Sequence, residues 1–130
     1  MVGYGTDELP AFYTRRSGFK LNLRVDEVQT LAKALKVKWD LGLRGGLVLA
    51  NPVPAQFEMP KEIIDAAIEK ALTEAVARGI AGKETTPFLL ARITELTGGD
   101  SLDTNIELVL NNARVASELA LAYASLNGKA

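Results

Sequence analysis

The chain has 130 residues, of which 48% are hydrophobic, and its 15 basic and 16 acidic side chains leave a formal net charge of −1. This length fits one domain or part of one, and the balanced charge argues against a nucleic-acid polymer or an anionic membrane surface as a partner. The absence of cysteine and histidine excludes disulfides, thiolate chemistry and the commonest general base. No apolar run approaches the ~20 residues that span a bilayer, and no signal-peptide pattern is present, so we expect a cytoplasmic protein.

The beginning of the chain predicts a short strand and then a polar loop. Residues 1–4 have strand character from the outset, which we interpret as the middle of a longer protein; a short native terminus is the alternative. Residues 6–19 predict a loop, because Pro10 opposes a helix interior. Arg15 and Arg16 in this loop suit a phosphate, but adjacent surface arginines are more often solvated, which is the interpretation we favour.

A strand, a helix and a second strand are predicted next. Residues 20–25 alternate between apolar and polar, which predicts a strand with one solvated face. A helix then starts at Asp26, where Gln29 completes a capping box, and ends at Gly42. Residues 47–50 are all apolar, which is typical of a central parallel strand covered on both faces.

Asn51 follows this apolar run. Ligands gather beyond the carboxyl ends of strands in α/β sheets, so Asn51 is a candidate substrate-binding residue. Asparagine before proline is also ordinary turn chemistry, and we favour the turn.

These elements predict an α/β fold with one βαβ unit, a right-handed crossover and at most three mostly parallel strands. So small a sheet leaves its strand edges unpaired. Either another chain or a segment absent from this sequence is expected to complete it.

Three helices are predicted after the sheet segment. The first covers residues 59–78, with Pro60 in its first turn. The second is capped by Thr86 and ends at Gly98. The third and longest is capped by Asp100 or Ser101 and is followed by a short polar tail at residues 129–130.

The longest helix carries two candidate site residues, Asn105 and Asn112, which lie a heptad apart at the edge of an apolar stripe. The stripe consists of Ile106, Val109, Leu110, Ala113, Ala116, Ala120 and Tyr123. An amide at its edge is either half-buried and hydrogen-bonded within the protein or faces a ligand.

The residues themselves show no catalytic constellation. A Ser/His/Asp or Cys/His arrangement is impossible in a chain without histidine or cysteine. The acidic residues Glu58, Glu62, Asp65 and Glu69 recur at helical intervals, which indicates a solvated face and not a metal site. We therefore predict no catalytic residue and no metal ligand within this chain.

Several separated stretches resemble the pseudouridine-5′-phosphate glycosidases, also called the indigoidine synthase A family. They are Gly-Tyr-Gly-Thr at residues 3–6, Ala-Asn-Pro at 50–52, Gly-Lys-Glu-Thr-Thr-Pro-Phe-Leu-Leu-Ala-Arg at 82–92, Glu-Leu-Thr-Gly-Gly-Asp-Ser-Leu at 95–102 and Asn-Ile-Glu-Leu-Val-Leu-Asn-Asn-Ala at 105–113. The resemblance implies that residues 1–130 are a single C-terminal portion of a larger α/β/α layered domain. It also implies a homotrimer that uses a divalent metal, typically manganese.

The activity implied by the resemblance is reversible cleavage of the C–C glycosidic bond of pseudouridine 5′-phosphate to uracil and ribose 5-phosphate. The family's Schiff-base lysine and proton-donating glutamate lie before residue 1, so this chain is expected to be inactive alone and to need the N-terminal portion or a second chain. By similarity Asn105 reaches the ribose-phosphate site; a structural amide near the helix start is the alternative. A non-catalytic binding or assembly module derived from the same fold is the alternative function.

Overall fold

Three short parallel strands and four helices make up the computed structural model, which describes residues 1–126 and 128. In chain order they are β1 (Val2–Tyr4), β2 (Arg24–Val25), α1 (Val28–Asp40), β3 (Leu49–Ala50), α2 (Lys61–Ala77), α3 (Thr85–Leu96) and α4 (Asp100–Leu126). The predicted α/β class is confirmed, with a parallel sheet segment followed by three helices. The polar tail predicted at residues 129–130 lies outside the described residues.

The sheet has the order β2-β1-β3, and both pairings are parallel. The apolar run at residues 47–50 was predicted to form a central strand, and this is wrong within the chain, because β1 is central and β3 lies at an edge. Val48 is accordingly 58% exposed.

The strand predicted at residues 20–25 is also shorter than expected. Only Arg24–Val25 pairs with β1, while Lys20 forms an isolated antiparallel bridge with Glu8. The loop after β1 folds back on this segment and takes up its backbone hydrogen bonds, and Leu23 is 61% exposed.

The predicted caps are wrong in detail at three helices. Asp26 does not cap α1, because the helix begins at Val28 and its N-cap position falls on Glu27; the Asp26 carboxylate accepts a hydrogen bond from Arg24 Nε at 2.8 Å. Thr86 lies inside α3, which begins at Thr85 after a 3₁₀ turn. At the start of α4 the oxygen that accepts a first-turn N–H belongs to Thr97, 3.3 Å from the Ser101 nitrogen.

The best-packed core lies between α2, α3 and the loop after β1. Its buried members are Tyr13, Met59, Ile64, Ala67, Ala71 and Ile93. Glu74 and Arg92 join α2 to α3 at the rim of this core, with Nε–Oε2 at 2.7 Å and Nη2–Oε1 at 2.9 Å. Two parallel hydrogen bonds between charged groups fix the relative position of the two helices.

The Glu74–Arg92 pair predicts an acid-dependent loss of stability. The hydrogen bonds from Arg92 lower the pKa of the Glu74 carboxyl and outweigh its desolvation. A carboxyl with a lowered pKa stabilises the folded state fully above its unfolded pKa, about 4.3, and this contribution is lost as the pH falls through the folded pKa. We therefore expect Glu74→Gln to lower the melting temperature at pH 7, and the difference from the parent chain to shrink below about pH 4.

Thermal melts from pH 3 to 7 measure this difference. Glu69→Gln is the matched control, since it removes a carboxylate of α2 that forms no ion pair with any described residue. A melting difference for Glu74→Gln that stays constant over the whole pH range would contradict the prediction.

Candidate functional site

Asn51 and Asn112, two of the predicted site residues, are brought together by the fold. Asn51 follows β3 and Asn112 lies in the middle of α4, and Asn51 Nδ2 donates to Asn112 Oδ1 at 2.9 Å. The interpretation that we favour from the sequence, that Asn51 only forms a turn, is therefore incomplete. The bond leaves Asn51 Oδ1 and Asn112 Nδ2 without a partner among the described residues, and both amides line an apolar groove of about 500 Å³.

Two further hydrogen bonds hold α4 against the segment after β3. Asn111 Nδ2 donates to the carbonyl of Pro52 at 3.3 Å. The buried hydroxyl of Thr104 donates to the carbonyl of Phe57 at 2.9 Å. Because Thr104 and Asn111 are seven residues, or about two helical turns, apart, the two bonds fix the position of the part of α4 between them relative to the segment after β3.

Asn105 lies in a different cavity, which the structure does not join to the Asn51 groove. It is half-buried between α3 and α4 and about two helical turns, roughly 10 Å, from Asn112 along the helix axis. The cavity measures about 440 Å³. No described residue hydrogen-bonds the Asn105 amide, so both its donor and its acceptor are available to a ligand.

The Asn105 cavity has a hydroxyl-bearing wall that the sequence did not indicate. Tyr13 and Ser101 line it and are 5% and 1% exposed, and Ser101 Oγ donates to Thr94 Oγ1 at 3.5 Å. Burial raises the pKa of the Tyr13 phenol, so it stays a neutral hydrogen-bonding group. Tyr13 comes from an irregular loop, where no periodicity marks a residue as buried.

A charged pocket of about 290 Å³ lies beyond the carboxyl end of β1 and contains Arg15, Arg16 and Arg24. Arg24 pairs with Asp7 at 2.7 Å, and Arg15 Nη1 donates to the carbonyl of Val53 at 2.6 Å. The favoured interpretation of two solvated arginines is therefore wrong for Arg15, which is tied to the protein, while Arg16 is exposed.

Within residues 1–126 and 128, no group of three or more histidine, cysteine, aspartate or glutamate side chains is close enough to hold a metal ion. Nor does any helix in those residues have the length and apolar character needed to cross a membrane.

The apolar face predicted on α4 exists but is largely uncovered. Ile106, Val109 and Leu110 are 48%, 59% and 57% exposed. The helix instead buries Ser101, Thr104 and Val115, because its neighbours within the chain lie on that other side.

A parallel sheet with helices packed on it, with Asn51 beyond the end of β3 and Asn112 on the helix beside it, places the chain in the α/β class, in which ligand sites commonly lie beyond the carboxyl ends of strands. Residues 1–122 match the family model described as "Indigoidine synthase A like protein", and the chain belongs to that family.

Two curated relatives carry the name pseudouridine-5′-phosphate glycosidase. The chain is 56% identical to the Escherichia coli protein over 128 residues and 56% identical to the Clostridium botulinum protein over 127 residues. Each match covers 98% of this chain and 41% of the relative. The chain thus spans about two fifths of the length of these relatives, and corresponds to their C-terminal portion.

Two solved structures share the fold. A prealnumycin C-glycosynthase, crystallised with ribulose 5-phosphate, has a TM-score of 0.85 at 30% identity and is matched over 99% of this chain and 42% of its own. An indigoidine synthase A-like protein from Thermotoga maritima has a TM-score of 0.77 at 35% identity, over 92% of this chain and 39% of its own.

Proposed function

We propose that this chain is the C-terminal part of a pseudouridine-5′-phosphate glycosidase, which reversibly cleaves pseudouridine 5′-phosphate to uracil and ribose 5-phosphate. The observation that supports this most strongly is 56% identity to proteins of that name over 98% of the chain. The C-glycosynthase with the same fold adds a second protein named for chemistry at a C-glycosidic bond.

The C–C glycosidic bond is hard to break because carbon is a poor leaving group. A lysine that forms a Schiff base with the opened ribose, assisted by a glutamate that donates a proton, meets this difficulty. We place both groups in the N-terminal portion, together with the ligand of a divalent metal such as manganese. This chain contributes substrate binding and no catalytic residue.

Asn105 is the residue of this chain that we assign to substrate binding. Its half-buried amide has no hydrogen-bond partner among the described residues, so it can donate to a phosphate or carbonyl oxygen and accept from a ribose hydroxyl. The neighbouring Thr104 hydroxyl bonds the carbonyl of Phe57 and so fixes the helix backbone from which the Asn105 side chain extends, which favours a constant position for this residue relative to a bound substrate. Asn51 and Asn112 are secondary candidates through their two unused amide groups.

The partner required is the N-terminal portion of the enzyme, and we propose a homotrimer as the assembled form. The exposed apolar face at Ile106, Val109 and Leu110 supports an extensive contact with further polypeptide, since such faces are costly in water. The same face supports the second candidate function, a non-catalytic assembly module that kept the fold but lost catalysis.

Turnover separates the two functions. Pseudouridine 5′-phosphate and Mn²⁺ are incubated with this chain, with the separately expressed N-terminal portion of the Escherichia coli relative, and with the two co-expressed, and uracil release is followed by chromatography. The glycosidase proposal predicts uracil in the co-expressed sample only. Association of the two portions without uracil release would favour the assembly module.

A further inference from the structure

The free edge of β3 presents unpaired backbone groups. Val2 N–H donates to the carbonyl of Val48 at 2.9 Å, and Val2 lies opposite Leu49 in the register. Backbone groups alternate sides along a strand, so the N–H and carbonyl of Leu49 point away from β1. No further strand lies beyond β3 in the described part of the chain.

An apolar trough runs along this edge. It consists of two adjacent cavities of about 400 and 500 Å³, which share Leu49, Ala116 and Leu119 in their walls. The larger is the groove described above, in which Asn51 and Asn112 lie beyond the end of β3. We call this surface the edge trough; its floor is the β3 edge and its roof is α4. The unpaired N–H and carbonyl of Leu49 match the main chain of an added strand, and the apolar walls match its side chains.

Helix α4 extends past the last strand of the described sheet. α1 contacts the sheet at β2 and packs against α4, so the two helices form one layer. α4 therefore extends this layer past β3, over the edge trough. Helices of α/β proteins cover strands, which implies a continuation of the sheet beneath α4.

The sequence of β3 supports the same conclusion. Its run Leu47-Val48-Leu49-Ala50 carries no charge and no proline, the devices that protect natural edge strands. β2, at the opposite edge, carries Arg24 in ion pairs with Asp7 and Asp26. The apolar run thus has the composition of an inner strand although it lies at an edge of this chain.

We propose that the edge trough holds an apolar β-strand, paired in parallel with β3 and supplied by the N-terminal portion of the protein. This inference rests on the proposed function, which names that portion as the partner. The relatives contain the required polypeptide, since the matched region is 41% of their length. The parallel direction follows from the two parallel pairings already present, and the apolar walls call for aliphatic side chains.

Residue-resolved amide hydrogen exchange tests the pairing. This chain is measured alone and co-expressed with the N-terminal portion of the Escherichia coli relative, with no substrate present. We expect the Leu49 amide to exchange at least about tenfold more slowly in the complex, with a smaller change at Ala50, whose N–H already faces β1. If Leu49 exchanges in the complex as fast as in the free chain, the proposal is overturned. It is also overturned if the chain alone shows protection of Leu49 that grows with its concentration, because the occupant of the trough is then a second copy of this chain.

A pair of variants tests the same bond independently. Leu49→Pro removes the outward N–H, a change that free edges tolerate, while Leu49→Val keeps it with a similar apolar side chain. We expect Leu49→Pro to weaken association at least about tenfold, from the loss of a buried hydrogen bond and a steric clash, and Leu49→Val to change it by less than about threefold. Equal association of the two variants with the N-terminal portion would overturn the proposal. Circular dichroism of each free chain checks that both variants fold. If Leu49→Pro does not fold, the hydrogen-exchange measurement decides.

Failure of the added-strand proposal can be distinguished from failure of the proposed glycosidase function. Protection of Leu49 without uracil release supports the added strand and contradicts the glycosidase. Uracil release without protection of Leu49 supports the glycosidase and contradicts the added strand.

Discussion

Replacing Asn105 with alanine is expected to lower kcat/KM for pseudouridine 5′-phosphate by about a hundredfold in the complex of this chain with the N-terminal portion. The reason is that removing one hydrogen-bonding group that stabilises the transition state costs about two to three orders of magnitude in rate. The fold should persist, because no described residue hydrogen-bonds the Asn105 amide and alanine favours the helix. Initial rates and thermal melts of the same preparations measure both effects.

Ser117→Ala is the matched control for Asn105→Ala. Its hydroxyl lies on the same helix, is exposed and bonds only the carbonyl of Ala113, at 2.8 Å. We expect parental rates from it. Asn105→Ala with parental rates would remove Asn105 from the site and favour a structural amide, and a large drop in its melting temperature would point the same way.

Replacing Gly3 with alanine is expected to destabilise the chain by about 3 kcal/mol, as forced overpacking does. A Cβ at this position would lie 2.2 Å from the backbone carbonyl oxygen of Thr6 and 2.9 Å from Leu21 Cδ1. Backbone cannot move aside as a side chain does, so the turn after β1 must shift and carry the central strand with it. Urea denaturation followed by circular dichroism measures the change in the free energy of unfolding.

Gly46→Ala is the control for this second prediction. A Cβ there meets no atom within 4 Å, and the residue does not need a left-handed conformation. We expect its unfolding free energy to stay within about 0.5 kcal/mol of the parent value. Equal stability of Gly3→Ala and Gly46→Ala would mean that the close approach of Thr6 to β1 is not maintained in solution.

Local signals predicted the elements of this fold well, and their failures have common physical causes. Periodicity located α2 and α4, and Gly98 adopts the left-handed conformation expected at the end of α3, with φ of 63°. The Asp26 cap was wrong because the helix begins one residue later, with Glu27 at its N-cap, and Asp26 instead pairs with Arg24, a contact that spacing does not reveal. The apolar run of β3 predicted an inner strand, whereas β3 lies at an edge of the described sheet, because composition does not determine which strand pairs with which.

The candidate site was predictable only in part. The position of Asn105 at the edge of an apolar stripe marked it as a candidate, and its amide has no partner among the described residues. The Asn51–Asn112 bond joins residues 61 positions apart, so it depends on the packing of α4. Tyr13 reaches the cavity from an irregular loop, for which no residue pattern exists.

Trapping of the covalent intermediate tests the central claim, that this chain completes an enzyme whose catalytic lysine lies elsewhere. The co-expressed complex is incubated with ribose 5-phosphate and sodium borohydride. The sugar aldehyde condenses with a lysine amine and releases water, and borohydride reduces the resulting imine to a stable secondary amine. Intact-mass spectrometry should find the adduct on the N-terminal portion and none on this chain; a site-specific adduct on a lysine of this chain would contradict the account.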